Sequence, residues 1–377
     1  MDGSLVFFAH ERGDARVRKR IAAFGDLGWV VTGFTFHRER DKVDAEPAWE
    51  NVHLGTTFNR RYVQRLFALA GSVGVLWRER RRLADAGVIY AVNVDNALLA
   101  LLGRWFSGGR APVVLELADI QPAMTGGGLL ARGLRGVERF VLGRVGLLVT
   151  TSPGFVREYF EPVQGFAGEV FLLENKVYPS AGLPQARVGD GGGNPWVVGY
   201  FGAFRCRRSL VLMRELAQRL GGKVRFVLRG YAAGTIADEF DELVGGVEHL
   251  EFGGAYGYPD ELAEMYGGVD LNWAFDESDP NGNSAWLLPN RIYEGGCFGV
   301  PVIAGEATET GRWIEENGVG WTFAEPLEES LAEFFGGLER DEWLGVKERC
   351  MAKGREEFTG EADYAALSAR MRELARA

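Results

Sequence analysis

Between Leu288 and Gly305 the chain reads LPNRIYEGGCFGVPVIAG, and Glu294 is the one carboxylate in that stretch. Pro289, with its fixed φ, and Asn290, a good capping residue, predict a helix that opens here. The free amides and positive end of such a helix form an anion site suited to a diphosphate. Glu294 lies about one turn into it, where a carboxylate can accept from two vicinal hydroxyls, each charge-assisted bond contributing about 1.5–3 kcal/mol. Gly295, Gly296 and Gly299 then predict close approach between the helix, a ligand and the strand VPVIAG. A plainer reading fits the same residues: Glu294 complements the helix dipole and the glycines allow tight packing. A second set of charges follows WVVGYFG, where GAFRCRRS brings Arg205, Arg207 and Arg208 together. Positive charge there would strengthen its hold on a diphosphate as that group leaves. Arg205 and Arg208 are favoured for this, with Arg291 as a further candidate. The alternatives are a solvated helix start and, for Arg291, an ion pair.

The elements that must position these residues follow from the patterning. Short apolar runs alternate with helical patterns throughout, as in parallel-sheet α/β domains. SLVFFAH, WVVTGFTF, GVIYAVN, PVVLELAD and VGLLVTTS read as strands, with helices at about 15–27, 60–85, 95–105 and 129–143. WVVGYFG, KVRFVLRG, VEHLEFGG, VDLNWAF, VPVIAG and GWTF form a second series, with a helix at about 208–220 and a helical tail from about 340. The 377 residues suggest two domains. The expected layout is a Rossmann-like domain over 1–178, a Pro- and Gly-rich linker over 179–195, and a second Rossmann-like domain over 196–359. A helix at about 360–377 is expected to pack back on the first domain. Work in such a fold belongs to the loops after strands, in a cleft where the carboxyl ends of the two sheets face each other.

Composition excludes several classes. Three scattered cysteines form no Cys-x-x-Cys pair, and four histidines form no His-x-x-x-His pair. No disulfide framework or metal site is therefore expected. No Asp-x-Asp follows a strand either, so arginines and amides would neutralise phosphate. The first residues lack the pattern of a signal peptide, and no run approaches the roughly 20 apolar residues of a membrane span. A cytoplasmic protein is expected. Residues 1–180 hold 23 Lys/Arg and 19 Asp/Glu, a balance of +4, which leaves −14 for the remainder of a chain with net charge −10. A basic front half suggests contact with an anionic surface. NRRYVQRLFALAGSVGVLWRERRRL, residues 59–83, sets basic clusters around an apolar stretch and is the expected site of peripheral contact with an anionic membrane. Its alternative is an amphipathic core helix with arginine-rich ends. Nucleic acid is not an expected partner, for the whole is acidic and no aromatic-basic reading motif occurs.

The order strand, polar loop, PNRIYE, small residues, GVPVI and then ETGRWIEENGVGWTF resembles the donor-binding region of GT-B glycosyltransferases of the family-4 type, particularly those of bacterial polysaccharide assembly. VVLELADIQPA, VTTSPGFVREYF, LLENKV and VGYFGAFRCRRSL extend the resemblance over nearly the whole chain. It implies two Rossmann-like domains and transfer of a sugar, with retention and without metal or other cofactor. The donor would be a nucleotide-sugar, UDP- or GDP-linked, and the acceptor a saccharide or lipid-linked glycan. It implies that Glu294 holds the ribose and that Arg205 or Arg208 meets the phosphates, with Asn290 and Arg291 beside them. Gly13 would let the backbone approach the phosphates. His10, Asp14, Arg16 and Glu116 would lie on the acceptor side. Asp119 would orient an acceptor hydroxyl, or serve as general base if the reaction inverts; its alternative is a structural loop contact. The family's Glu-x7-Glu pair is broken here, because Trp286 occupies the first position. Asn281, Asn283 and Ser284 could contact the sugar instead, or simply form a turn. A nucleotide-sugar 2-epimerase of the same fold would need acids and histidines clustered around the sugar. A degenerate chain that binds nucleotide or glycan without turnover is the non-enzymatic alternative. A nicotinamide enzyme fits poorly, since HERGDARV replaces G-x-G-x-x-G after the first strand.

Overall fold

The structure is a computed structural model. It describes residues 3–38, 47–57, 62–178, 183 and 192–377, without the side chains of 38, 57, 62–67, 69 and 235. Most of the expected linker, and residues 59–61 of the expected membrane segment, lie outside the described residues. The chain forms two compact units. The first comprises Met1–Thr151, Phe155–Leu173 and Glu361–Ala377, and the second Ser152–Gly154 and Glu174–Gly360.

All strand pairs in both sheets are parallel. The first unit carries β1 (Ser4–Ala9), β2 (Val30–Arg38), β3 (Glu50–Thr57), β4 (Val88–Val92), β5 (Val113–Leu117), β6 (Leu147–Thr150) and β7 (Val170–Leu172), in the order β3-β2-β1-β4-β5-β6-β7. Its central strands are largely apolar runs, with Glu116 the one charge inside β4, β5 and β6, as suits strands buried on both faces. The second unit carries β8 (Trp196–Phe204), β9 (Val224–Ala232), β10 (Leu250–Phe252), β11 (Leu271–Trp273), β12 (Val302–Gly305) and β13 (Gly320–Phe323), in the order β10-β9-β8-β11-β12-β13. Patterning missed β3 and β7, the two edges of the first sheet. One is largely polar and the other spans three residues, so neither presents a long apolar run. The expected helix over 60–85 breaks at Glu79 into Tyr62–Arg78 and Arg80–Ala84. Close to the carboxyl end of β8, Gly202 pairs with Gly230 at φ +111 and +145. A Cβ on Gly230 would collide with the Gly202 carbonyl, so the two strands reach this approach only with glycine.

The helix Glu361–Arg376 belongs to the first unit and is bolted there by polar contacts. Trp29 Nε1 donates to Ser368 Oγ at 2.8 Å, and the Arg372 guanidinium lies 4.7 Å above the Trp29 ring. Arg370 grips Glu169 through two 2.6 Å bonds. Deeper still, Arg20 and Glu116 are both fully buried. Arg20 donates from Nη2 to Glu116 Oε1 at 2.9 Å and from Nε to Oε2 at 3.1 Å, while Tyr90 OH donates to Oε2 at 2.6 Å. Tyr364 of the C-terminal helix meets Arg20 Nη1. Burial alone would raise the Glu116 pKa, but the Arg20 charge and these bonds hold it below the ordinary carboxylate value. This corrects the expectation for Glu116. It lies within the β5 ladder, paired in register with Val149, and its carboxylate is consumed in the core, away from any acceptor.

Removing one member of such a pair leaves an uncompensated buried charge. Arg20→Met should therefore cost about 3–5 kcal/mol in urea denaturation, and Arg20→Met/Glu116→Leu clearly less. A double variant as unstable as the two single losses added together would refute the pairing.

Candidate functional site

In the second unit, Pro289 sits extended at φ −77 and ψ 148, and the helix Asn290–Gly296 follows. No side chain caps it, so Asn290 does not play the capping role expected of it; it is the exposed first helical residue. Residues 291–296 are all buried. The glycines serve packing within the unit. A Cβ on Gly295 would meet Asn272 and Tyr266, one on Gly296 would enter the Phe358 ring, and Gly299 turns the chain at φ +67. Glu294 is 6% exposed, and Tyr266 OH donates to its Oε2 at 3.1 Å. The half-buried Tyr256 stands close by: burial first, and then the Glu294 charge, push its phenol pKa up. Arg291 lies 4.7 Å over the Tyr200 ring, its Nη1 3.5 Å from the Trp273 carbonyl. Asn272 Nδ2 donates to the Arg291 carbonyl at 2.6 Å and ties the helix to β11.

The loop after β8 joins this region. Cys206 Sγ accepts from Ser209 N at 3.4 Å at the start of the helix Arg207–Leu220, and from Glu277 N at 3.2 Å. Arg205, immediately before, is exposed and makes no hydrogen bond or ion pair among the described residues. Arg208 differs from its expected role. Its guanidinium lies 2.7 Å from both Glu277 and Glu325 and 3.9 Å from Glu328, so carboxylates already hold what a phosphate would need. Arg207 pairs with Glu239 at 3.0 Å. Ser284 is likewise committed: its hydroxyl lies 3.1 Å from Asp276 Oδ1 and accepts from Asp279 N at 3.0 Å. The loop's turn chemistry therefore explains Ser284, while Asn283 stays half-buried at the start of the short helix Asn283–Trp286. The Trp286 carbonyl accepts from Ser152 Oγ at 2.5 Å.

In the first unit, the loops after β1 and β5 bring four expected residues together. Asp14 caps the helix Ala15–Asp26, accepting from the amides of Arg16 and Val17 at 2.9 and 3.2 Å. His10 Nε2 is 3.5 Å from Asp14 Oδ2, and Arg16 Nη2 is 3.5 Å from Asp119 Oδ2. His10 Nδ1 is buried without a partner among the described residues. Gly13 is exposed, and a Cβ there would find only the end of Glu11 within 4 Å, so close packing does not require its glycine. Tyr266, Tyr256 and Tyr200 escaped the sequence reading, and Asp276 entered it only as a residue that fails the Asp-x-Asp spacing. Only Asp276 left a local signal, the Asp-x-Ser turn in which Ser278 N donates to Asp276 Oδ1 at 3.1 Å.

No family model matches the chain. Among solved structures it resembles a sucrose-phosphate synthase from Thermosynechococcus elongatus with a TM-score of 0.71, at 16% identity over 99% of both chains. It also resembles Anabaena HepE, a structure in complex with UDP and glucose, with a TM-score of 0.69 at 16% identity over 98% of this chain and 100% of that one. The fold is therefore GT-B, that of the glycosyltransferases. In sequence, the succinoglycan biosynthesis protein ExoL of Rhizobium meliloti strain 1021 is 36% identical over 350 residues, 92% of this chain and 87% of ExoL. The chain belongs to the ExoL family.

Asp14 offers a pH test of the first-unit cluster. Burial would raise its pKa, but His10, the Val17 amide and Arg16 together lower it from 3.8 to about 2. A depressed folded pKa gives stability that is complete above the unfolded value near 3.9 and fades as pH falls towards about 2. Asp14→Ala should thus cost about 1 kcal/mol at neutral pH, and urea midpoints should show the gap to wild type narrowing over that window. A gap that widens there would contradict the assignment.

Proposed function

We propose that the second unit binds a UDP- or GDP-linked sugar and that the first binds the receiving saccharide or lipid-linked glycan. The observation that carries this reading is Glu294: a nearly buried carboxylate met by Tyr266, beside the half-buried Tyr256. A carboxylate has about four acceptor positions and can take both vicinal hydroxyls of a ribose. Arg205 and the amides opening the 14-residue helix Arg207–Leu220 suit the diphosphate, whose charge grows as the glycosidic bond breaks. Arg291, stacked on Tyr200, adds positive potential from within the wall. Asn283, half-buried, contacts the sugar where the family's first glutamate is replaced by Trp286. Asp119, held by Arg16, orients the acceptor hydroxyl. That oxygen bonds to the anomeric carbon as the bond to the diphosphate breaks, and its proton leaves with the phosphate. In this scheme configuration is retained, no protein base is required, and arginine supplies the neutralisation a divalent cation would otherwise give.

Glu294→Ala should cost about 2–4 kcal/mol in kcat/KM or donor binding, through two lost charge-assisted bonds. Unchanged donor kinetics would remove the ribose role. Arg205→Ala should weaken a nucleoside diphosphate far more than the nucleoside, whereas Arg208→Ala should separate the two little; the reverse ranking would exchange their roles. A thermal-shift screen of UDP- and GDP-sugars identifies the donor, since a ligand at about 100 times its Kd stabilises by roughly 2.7 kcal/mol. Activity that survives EDTA, with product of unchanged anomeric configuration by NMR, is the expected outcome; tight donor binding without any turnover would make the chain a binder.

A further inference from the structure

Of the ten tryptophans in the chain, eight stand against another ring or a cation. Trp273 meets Phe226 edge to face at 5.9 Å, for example, and Arg372 covers Trp29. Trp49 lies against Gly33, where a Cβ would strike its ring. Trp286 has none of these partners. It is half-buried, yet among the described residues its indole makes no ring stack, cation contact or hydrogen bond. Its backbone, by contrast, is firmly held. Trp286 closes the four-residue helix Asn283–Trp286. Ser152 Oγ donates to its carbonyl, and a Cβ on Gly154 would strike the same atom, so this part of the second unit packs directly on it. Thr310 Oγ1 donates to the Leu287 carbonyl at 3.0 Å, and the Asn283 amide donates to Asp279 Oδ2 at 3.0 Å. An anchored backbone thus presents an indole that no other ring or cation engages.

Two connections set this short helix among the donor residues. Glu277 N donates to Cys206 Sγ at 3.2 Å, and Ser209 Oγ donates to the Phe275 carbonyl at 3.3 Å. The segment after β11 therefore runs against the start of the helix Arg207–Leu220. At its other end, Pro289 opens the helix that carries Glu294. In the chain, Trp286 falls between the elements assigned to the diphosphate and to the ribose. Asn283 and Trp286, three apart on one helical turn, share a face. A glutamate at position 286 would accept hydrogen bonds from sugar hydroxyls. An indole accepts none; it offers a flat apolar face to ring C–H groups and a single N–H donor. Charge narrows the choice further. Residues 276–290 bring Asp276, Glu277 and Asp279 and no Lys or Arg, so a carboxylate on the sugar would be repelled. We infer that Trp286 is the platform on which the transferred sugar stacks, and that it selects a neutral hexopyranose. This rests on the donor reading of Glu294 and adds to it the recognition of the sugar.

The test is calorimetry on the full chain, comparing a nucleoside diphosphate with its hexose ester. The pairs are UDP with UDP-glucose and GDP with GDP-mannose, and the charged probes are UDP-glucuronate and GDP-mannuronate. With the base that wild type holds, Trp286→Ala should weaken the nucleotide-hexose about tenfold and the bare diphosphate by less than about twofold. Trp286→Phe keeps a smaller apolar face and should recover most of the loss. Trp286→Glu should bind the hexose ester as poorly as Trp286→Ala. Wild type should bind the hexuronate ester at least about tenfold more weakly than the hexose ester. An equal loss for diphosphate and hexose ester in Trp286→Ala would make the residue merely structural and overturn the platform. Unchanged hexose affinity in that variant, or tighter hexose binding by Trp286→Glu, would overturn it as well. A wild type that binds neither nucleotide would instead remove the donor reading beneath it, so the two failures are told apart.

Discussion

The constraint on which the candidate site depends is the cost of holding a carboxylate out of water, several kcal/mol for each ion before compensation. The chain meets that cost in two different ways. Glu116 is answered by a guanidinium in two-bonded geometry and by Tyr90, which use its acceptor capacity and fix it in the core. Glu294 meets the neutral hydroxyl of Tyr266, with Tyr256 nearby. A phenol donates to a carboxylate without cancelling its charge. The first arrangement sets a carboxylate against a cation, and the second sets one beside phenols.

The same contrast separates the arginines. The second unit lies in the acidic part of the chain, yet an anionic ligand needs locally positive potential. Arg208 contributes little to it, because Glu277, Glu325 and Glu328 surround its guanidinium. Arg205, three residues earlier, precedes the helix and escapes these partners. Proximity in sequence brought them together as candidates, whereas the direction of the opening helical turn separates them.

How far the sequence could be read follows from where each signal resides. Parallel strands buried on both faces announce themselves as unbroken apolar runs, so the central strands and the fold class were legible. The polar edge β3 and the three-residue β7 were not. Site residues just beyond strand ends could be named from their loops, and His10, Asp14, Arg16 and Asp119 do form one linked cluster. Glu116 was misplaced although its strand was read, because PVVLELAD does not show that Arg20 and Tyr90 take up its carboxylate. β5 runs to Leu117, which leaves Glu116 inside the ladder and Asp119 outside it. Tyr266 could not be found at all, since its bond to Glu294 joins helices 28 residues apart and leaves no local pattern.

The helix Leu129–Leu142 shows the same limit from the opposite side. Residues 59–83 and 129–144 both carry arginines beside apolar residues, and composition alone favours the longer first stretch. What distinguishes them is which way each charge is turned. In the first, Arg82 is drawn onto Glu50 and Glu79. In the second, the one acid is withdrawn into the core by Tyr159 and Gln164, and the outward field is left entirely to arginine. The inward rotation of Glu138 thus leaves the exposed leucines beside positive charge from their own helix. A surface of this kind is built from an amphipathic face and one hidden charge together.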